Sequence, residues 1–285
     1  MTESAQPTFT SPISSFKHVI AVASGKGGVG KSTVATNLAL ALAQKGLAVG
    51  LLDIDIYGPS LPIMFGLADA QPIVDENRHV IPLEKMGLKL MSFGFFLHSQ
   101  EAVVWRGPLV SRMVQQFIQD VKWGDLDYLV IDLPPGTGDA QLTLSQLLPL
   151  SGVVIVSTPQ DVALADAIKG INMFKKVNTP ILGLIENMST FICPHCQTET
   201  PIFSHGGARR AAEDLGVPFL GEIPLDPATR ASGDAGLPIV HQDPQSPTSR
   251  VMTTIADTVA SALATTTSEQ PVFKTHLFES TLPKA

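Results

Sequence analysis

Ser24-Gly-Lys-Gly-Gly-Val-Gly-Lys-Ser-Thr33 joins an apolar, β-branched run, His18-Val-Ile-Ala-Val-Ala-Ser24, to a segment with Val34, Leu38 and Leu42 at every fourth place. The first run reads as a buried strand and the second as a helix face, with Gly46 as its stop. Between them, Gly25, Gly30, Lys31 and Ser32 satisfy the pattern G-x-x-x-x-G-K-[ST]. Glycines in such a loop let successive backbone N–H groups turn inward around phosphate oxygens. The helix that follows presents its positive end to the same anion. Gly25, Lys26, Gly27, Gly28, Val29, Gly30, Lys31, Ser32 and Thr33 are therefore the expected nucleotide cradle. Lys31 is expected to reach the β- and γ-phosphates, and the Ser32 hydroxyl to ligate Mg²⁺. A ligand-free glycine-rich turn is the plain alternative, and a complete match set between strand and helix weighs against it.

Lys26 follows the first glycine of the loop. An isolated loop lysine is by default a solvated one. Here a second ammonium on the oxyanion already served by Lys31 would crowd it, so Lys26 is expected to reach a nucleotide on a neighbouring chain. That expectation makes the molecule a pair of subunits.

Two further runs end in carboxylates. Leu47-Ala-Val-Gly-Leu-Leu-Asp53-Ile-Asp55 reads as a strand carrying two aspartates at i and i+2, on one side. Asp127-Tyr-Leu-Val-Ile-Asp132 reads as another, followed by Leu133-Pro-Pro-Gly-Thr-Gly-Asp139. Ligands of parallel α/β sheets sit at the carboxyl ends of strands, so these aspartates should face the phosphates. Asp132 is the expected Mg²⁺ partner of the loop. Of Asp53 and Asp55, one would hold Mg²⁺ through water and the other would orient or deprotonate an attacking water. The stiff, glycine-containing 133–139 stretch suits a segment that distinguishes ATP from ADP.

The chain has two cysteines, both in Cys193-Pro-His-Cys196. That number excludes a disulfide scaffold. A redox pair, a zinc site and an iron–sulfur site all stay open. The redox motif belongs to a different βαβ setting. Zinc usually wants four ligands and a cluster usually four thiolates, so both metal readings improve if two chains meet at this turn. His195 reads as a solvated loop residue and His205 as a cap on the helix that follows Gly206; neither is taken as a ligand.

Strand-like and helix-like stretches alternate from residue 18 to about 264 within the 285 residues, and 44% of the chain is hydrophobic. This predicts one α/β domain, a P-loop NTPase fold with a mostly parallel central sheet and helices on both faces. Residues 15–264 form that domain, and the Ser/Thr/Pro-rich 1–14 and 265–285 are expected as flexible tails. Residues 108–121 read as a helix, 181–186 as a strand and 191–197 as a turn. Residues 209–215 read as a helix, 217–223 as a strand, and Val251, Ile255, Val259 and Leu263 as the face of a last helix. Phe95 and Phe96 belong to an aromatic turn, where core packing is favoured over a partner surface. The net charge of −7 gives no footprint for nucleic acid. No basic amphipathic helix or long apolar run argues for a membrane, and no signal peptide is apparent. Paired free thiols fit a reducing cytoplasm. No N-K-x-D motif supports guanine.

These residues together resemble the MinD/ParA-like P-loop ATPases, in which ATP sandwiches two subunits and a signature lysine reaches the partner's nucleotide. Lys26 occupies that lysine's place. Within that group the chain is similar to the Mrp (ApbC-like) iron–sulfur carriers. The likeness rests on Asp53-Ile-Asp-Ile-Tyr-Gly-Pro-Ser60, Trp105-Arg-Gly-Pro108, Asp132-Leu-Pro-Pro-Gly-Thr-Gly-Asp139, Glu186-Asn-Met-Ser189 and Cys193-Pro-His-Cys196, across about residues 16–245. The resemblance implies ATP, Mg²⁺ and a [4Fe–4S] cluster bridging a homodimer through Cys193 and Cys196. It implies Lys26, Lys31 and Asp55 as catalytic, Asn187 at the adenine with residues 223–226 flanking it, and delivery from scaffold proteins to apo iron–sulfur proteins. A partition or positioning ATPase, and an ATPase with structural zinc, are the rival readings.

Overall fold

The computed structural model describes residues 15–96, 107–148, 150–193, 195–196, 198–266 and 273–274. The chain opens with β1 (Ser15–Ser24), α1 (Lys31–Ala43), β2 (Val49–Asp53) and the single turn α2 (Leu61–Met64). Short strands β3 (Ile73–Val74), β4 (Val80–Ile81) and β5 (Leu83–Lys85) precede β6 (Leu88–Ser92) and a 3₁₀ turn, Phe93–Phe95. Then come α3 (Gly107–Gln119), β7 (Asp125–Asp132), α4 (Asp139–Leu147), β8 (Gly152–Ser157), α5 (Asp161–Lys176), β9 (Ile181–Ile192) and β10 (Glu199–Thr200). The last part is α6 (Gly207–Leu215), β11 (Phe219–Leu225), α7 (Pro227–Asp234), α8 (Ile239–Gln242), α9 (Pro247–Thr266) and β12 (Phe273–Lys274).

The sheet runs β9-β8-β1-β7-β2-β6-β5, and β10 and β11 also pair with β9. All the long strands, with β11, are parallel; β5, β10 and β12 join antiparallel. The last six residues of β1 and all of β2 and β8 are buried, as expected for strands covered on both faces. From β1 the chain moves through α1 to β2 in one direction along the sheet. From β8 it moves through α5 to β9 in the other. Right-handed crossovers therefore put α1 and α5 on opposite faces.

Several elements differ from the sequence expectation in an instructive way. α1 is buried nearly all round, from Val34 through Leu42, because α8 and α9 pack on the side that the sheet leaves free. Its polar Asn37 is held in this cover: Nδ2 donates to Thr33 O at 2.9 Å and Oδ1 accepts from Val240 N at 3.0 Å. β2 stops at Asp53 instead of running to Asp55, because Asp53 Oδ1 accepts the Asp55 N–H at 3.0 Å and turns the chain. Likewise β9 does not stop at 186. It continues to Ile192 and folds back as β10, so the expected cysteine turn is the tip of a hairpin. The expected strand at 217–223 is shifted to β11, and the short β3–β4 ribbon carries no signal strong enough to read in advance. Trp105 and Arg106 lie outside the described residues.

Candidate functional site

Three neighbouring strands end side by side: Val22 of β1 is in register with Asp132 of β7, and Asp132 with Asp53 of β2. This sets the phosphate loop and the two strand-end carboxylates on one edge. The loop is shaped by Gly28 and Gly30, at φ 79° and 83°, with Gly30 as the left-handed N-cap of α1. Gly25 is required for another reason. A Cβ there would lie 2.3 Å from the carbonyl carbon of Asp166, on the backbone of α5. The 133–138 segment is tied to β1 by Leu133 N to Val22 O at 3.0 Å and Gly136 N to Ser24 O at 2.9 Å.

Lys31 is 6% exposed and donates to Asp132 Oδ1 at 2.5 Å, with Asp55 Oδ2 at 3.7 Å and Ser32 Oγ at 3.3 Å. The ammonium thus rests on two carboxylates at the place where phosphate oxygens would compete for it. Asp132 Oδ2 is buried with no hydrogen-bond partner among the described residues. A buried, unpartnered carboxylate oxygen costs about 1–3 kcal/mol, and beside the Ser32 hydroxyl it makes a pair of hard oxygen donors that fits Mg²⁺. Burial pushes the Asp132 carboxyl up, opposed by Lys31 and Ser32.

Asp53 is wholly buried and its carboxylate serves its own loop. Oδ1 accepts from Asp55 N, and Oδ2 accepts from Ser60 N at 3.0 Å, Leu61 N at 3.3 Å and Ser92 Oγ at 3.1 Å. Burial first, and Asp132 second, push its carboxyl up to about 7. Lys26 is half-buried, with its carbonyl accepting from Ser24 Oγ at 2.9 Å.

Beside the loop lies a cavity of about 400 Å³, lined by Gly30, Thr33, Ser60, Asn187, Leu225 and Arg230 among others. Asn187 Nδ2 donates to Val29 O at 2.8 Å, so the residue that lines this cavity also braces the loop. Residues 223–226 border the same cavity.

Cys193 and Cys196 are both free thiols at the hairpin tip, closed by Cys193 N to Thr198 O at 3.0 Å. Cys196 is exposed and Cys193 half-buried. The hairpin extends the carboxyl end of β9, the same edge of the sheet as the phosphate loop. The Thr198 hydroxyl, 3.2 Å from Cys196 Sγ, pulls that thiol's pKa down.

His205 does not cap α6. Its Nε2 lies 2.8 Å from Glu222 Oε2, and Gly206 is the N-cap residue. The capping carboxylate comes from Glu186, which accepts from Gly206 N at 2.9 Å, Ala208 N at 2.8 Å and Ser189 Oγ at 2.8 Å. Glu186, His205 and Glu222 bring their ligand atoms within 4.8 Å, yet these bonds, and Arg209 on Glu222 at 3.0 Å, already satisfy the group. Phe95 is buried, as favoured; Phe96 is 43% exposed and stacks on Phe117 with ring centroids 5.7 Å apart. Sequence reasoning missed Glu186 as a cap and Ser92 altogether, since both act on residues distant in the chain.

The ParA family model, described as NUBPL iron-transfer P-loop NTPase, matches residues 15–260. The chain is 53% identical over 222 residues to the iron–sulfur cluster transfer protein NUBPL of Dictyostelium discoideum, covering 77% of this chain and 69% of that one. It is 54% identical over 224 residues to the iron–sulfur cluster carrier protein of Aquifex aeolicus, covering 78% and 62%. Among solved structures, the nucleotide-binding protein of Archaeoglobus fulgidus in complex with ADP is 42% identical with a TM-score of 0.69, covering 78% and 87%. The cell division ATPase MinD of Pyrococcus furiosus, 24% identical over 86% and 99% of the chains with a TM-score of 0.61, shares the fold.

Proposed function

The chain belongs to the ParA family of NUBPL iron-transfer P-loop NTPases, and from that premise we propose that it is an ATP-driven iron–sulfur cluster carrier. Two copies hold one [4Fe–4S] cluster as cargo through Cys193 and Cys196 of each, and pass it from scaffold proteins to apo-proteins. The observation that carries this reading is the shared edge: the two-lysine phosphate loop and the cysteine hairpin both lie at the carboxyl ends of one sheet. The carrier and transfer names of the Aquifex and Dictyostelium relatives support it.

In this reading the nucleoside fills the cavity beside Asn187, and the phosphates lie in the loop of residues 25–33. Lys31 exchanges Asp132 and Asp55 for phosphate oxygens. Ser32 and Asp132 would hold Mg²⁺, which when bound offsets phosphate charge. Lys31 release frees Asp55 to orient the attacking water, while Asp53 shapes the loop that carries it. Lys26 reaches the partner's nucleotide, so hydrolysis, slow in a lone chain, depends on how the copies face each other. The same facing opens or closes the cluster site. Free thiols of this kind suit a reducing cytoplasm. Residues 15–264 supply the machinery.

Anaerobic reconstitution with ferrous iron and sulfide tests the cargo. The expected result is a brown chromophore with about four irons per two chains, lost in Cys193→Ala while ADP affinity is kept. Tightly held zinc without a chromophore would overturn it, and so would equal loss of metal and ADP binding in that variant.

A further inference from the structure

Ser92 closes β6 directly opposite Asp53 in the sheet register. Its side chain is fully buried, and its hydroxyl makes two bonds. It donates to Asp53 Oδ2 at 3.1 Å and accepts from Gly94 N at 3.0 Å. The bonds join two segments far apart in sequence. On one side, Asp53 gathers the backbone N–H groups of Asp55, Ser60 and Leu61, and so sets the path of residues 54–61. On the other side, the 3₁₀ turn Phe93–Phe95 packs against that same loop. A Cβ on Gly94 would lie 2.7 Å from Pro62 Cγ and 3.0 Å from Pro59 Cβ. The turn is itself fixed on α3 by Phe93 and Phe96, whose rings lie 4.8 and 5.7 Å from that of Phe117.

The loop held this way carries what the site uses. Asp55 Oδ2 stands 3.7 Å from Lys31 Nζ, and Ser60 lines the nucleoside cavity with an Oγ that has no partner among the described residues. A carboxylate that accepts four bonds keeps its orientation only while its donors stay fixed. Three of its donors belong to the loop itself. Ser92 is the donor that comes from the sheet, and it is the anchor of the set.

We infer that Ser92 is a positioning residue for the nucleotide reaction, fixing Asp53 and through it the loop on which Asp55 and Ser60 meet the nucleotide. The inference rests on the reading of this chain as an ATPase. It extends the reading to a residue outside the phosphate loop, the two acidic strand ends and the cysteine hairpin.

The test uses the full chain as wild type, Ser92→Ala and Ser92→Thr. Phosphate release is followed against ATP concentration, with ADP affinity and thermal melting measured alongside. Chymotryptic cutting after Tyr57, which is 81% exposed at the loop tip, is timed without nucleotide. Loss of one hydrogen bond to a carboxylate is expected to lower kcat about tenfold in Ser92→Ala, with KM and ADP affinity within about twofold of wild type. Cutting at Tyr57 is expected to be several-fold faster. The threonine variant, which keeps the hydroxyl, should recover both. Unchanged kcat and cutting in Ser92→Ala overturns the inference. Parallel loss of kcat, ADP affinity and melting temperature also overturns it, because that pattern belongs to a purely structural residue. A wild-type chain that binds ATP without releasing phosphate would sink the ATPase reading, and the Tyr57 cutting rate would still decide the role of Ser92.

Discussion

Gly25 shows how one residue can answer to two demands. As the first glycine of the motif it opens the phosphate loop, and a local reading stops there. In the folded chain its missing Cβ also lets the loop lie on α5, where an added methyl would meet the Asp166 backbone at 2.3 Å. Backbone cannot swing aside as a side-chain tip can, so Gly25→Ala is expected to cost about 1–3 kcal/mol and to lower the melting temperature by several degrees. Gly27→Ala serves as the comparison, since its nearest neighbour is Pro135 Cγ at 4.0 Å; its melting curve should stay near wild type. Equal melting of the two variants would refute the close approach to α5. Lys31 carries the same lesson in charge. Its place in the motif assigns it to phosphate, and the structure shows two carboxylates, Asp132 and Asp55, beside its ammonium.

At the scale of elements, the segment from β9 to α6 is the clearest case of a long-range bond acting as a local one. The N-terminal turn of α6 begins with Gly206 and Gly207 and has no side chain of its own to cap it. Glu186, on β9, supplies both acceptors, at 2.9 and 2.8 Å. Glu186→Ala leaves two N–H groups and the Ser189 hydroxyl without that partner, and is expected to destabilise the chain by about 2–3 kcal/mol. Glu186→Gln, with a single acceptor oxygen, should fall between, as read by denaturant titration. An alanine variant as stable as wild type would show that the cap contributes little. The carboxylate pair on β2 illustrates the opposite case. Two aspartates at i and i+2 share a side only in a continuing strand, and the Asp53–Asp55 turn ends the strand between them. Both nonetheless arrive at the site, Asp55 by the turn and Asp53 by the register with Asp132.

For the whole molecule, the arrangement of two sites on one edge sets a test of the pairing between copies. Lys26 lies in the glycine-rich loop, half-buried, while Lys31 is buried against Asp132 of its own chain. In the proposed dimer Lys26→Ala should leave ADP affinity within about twofold, yet cut ATP turnover at least tenfold, as measured by phosphate release. Turnover equal to wild type would remove its role across the interface. Among the described residues no helix is long and apolar enough to cross a membrane. The glycine-rich loop between strand and helix, the parallel α/β class and the meeting of the acidic strand ends beside that loop were legible in the chain because each follows from local chemistry: glycines that free the backbone, apolar runs that must be buried, carboxylates at strand ends. Only the folded chain decided that α1 is covered on all sides, that Glu186 caps a distant helix, and that Ser92 bonds Asp53. Those contacts depend on which strands become neighbours and in what register. Periodicity within a single segment carries no record of either, because pairing energy is shared between segments that the sequence holds far apart.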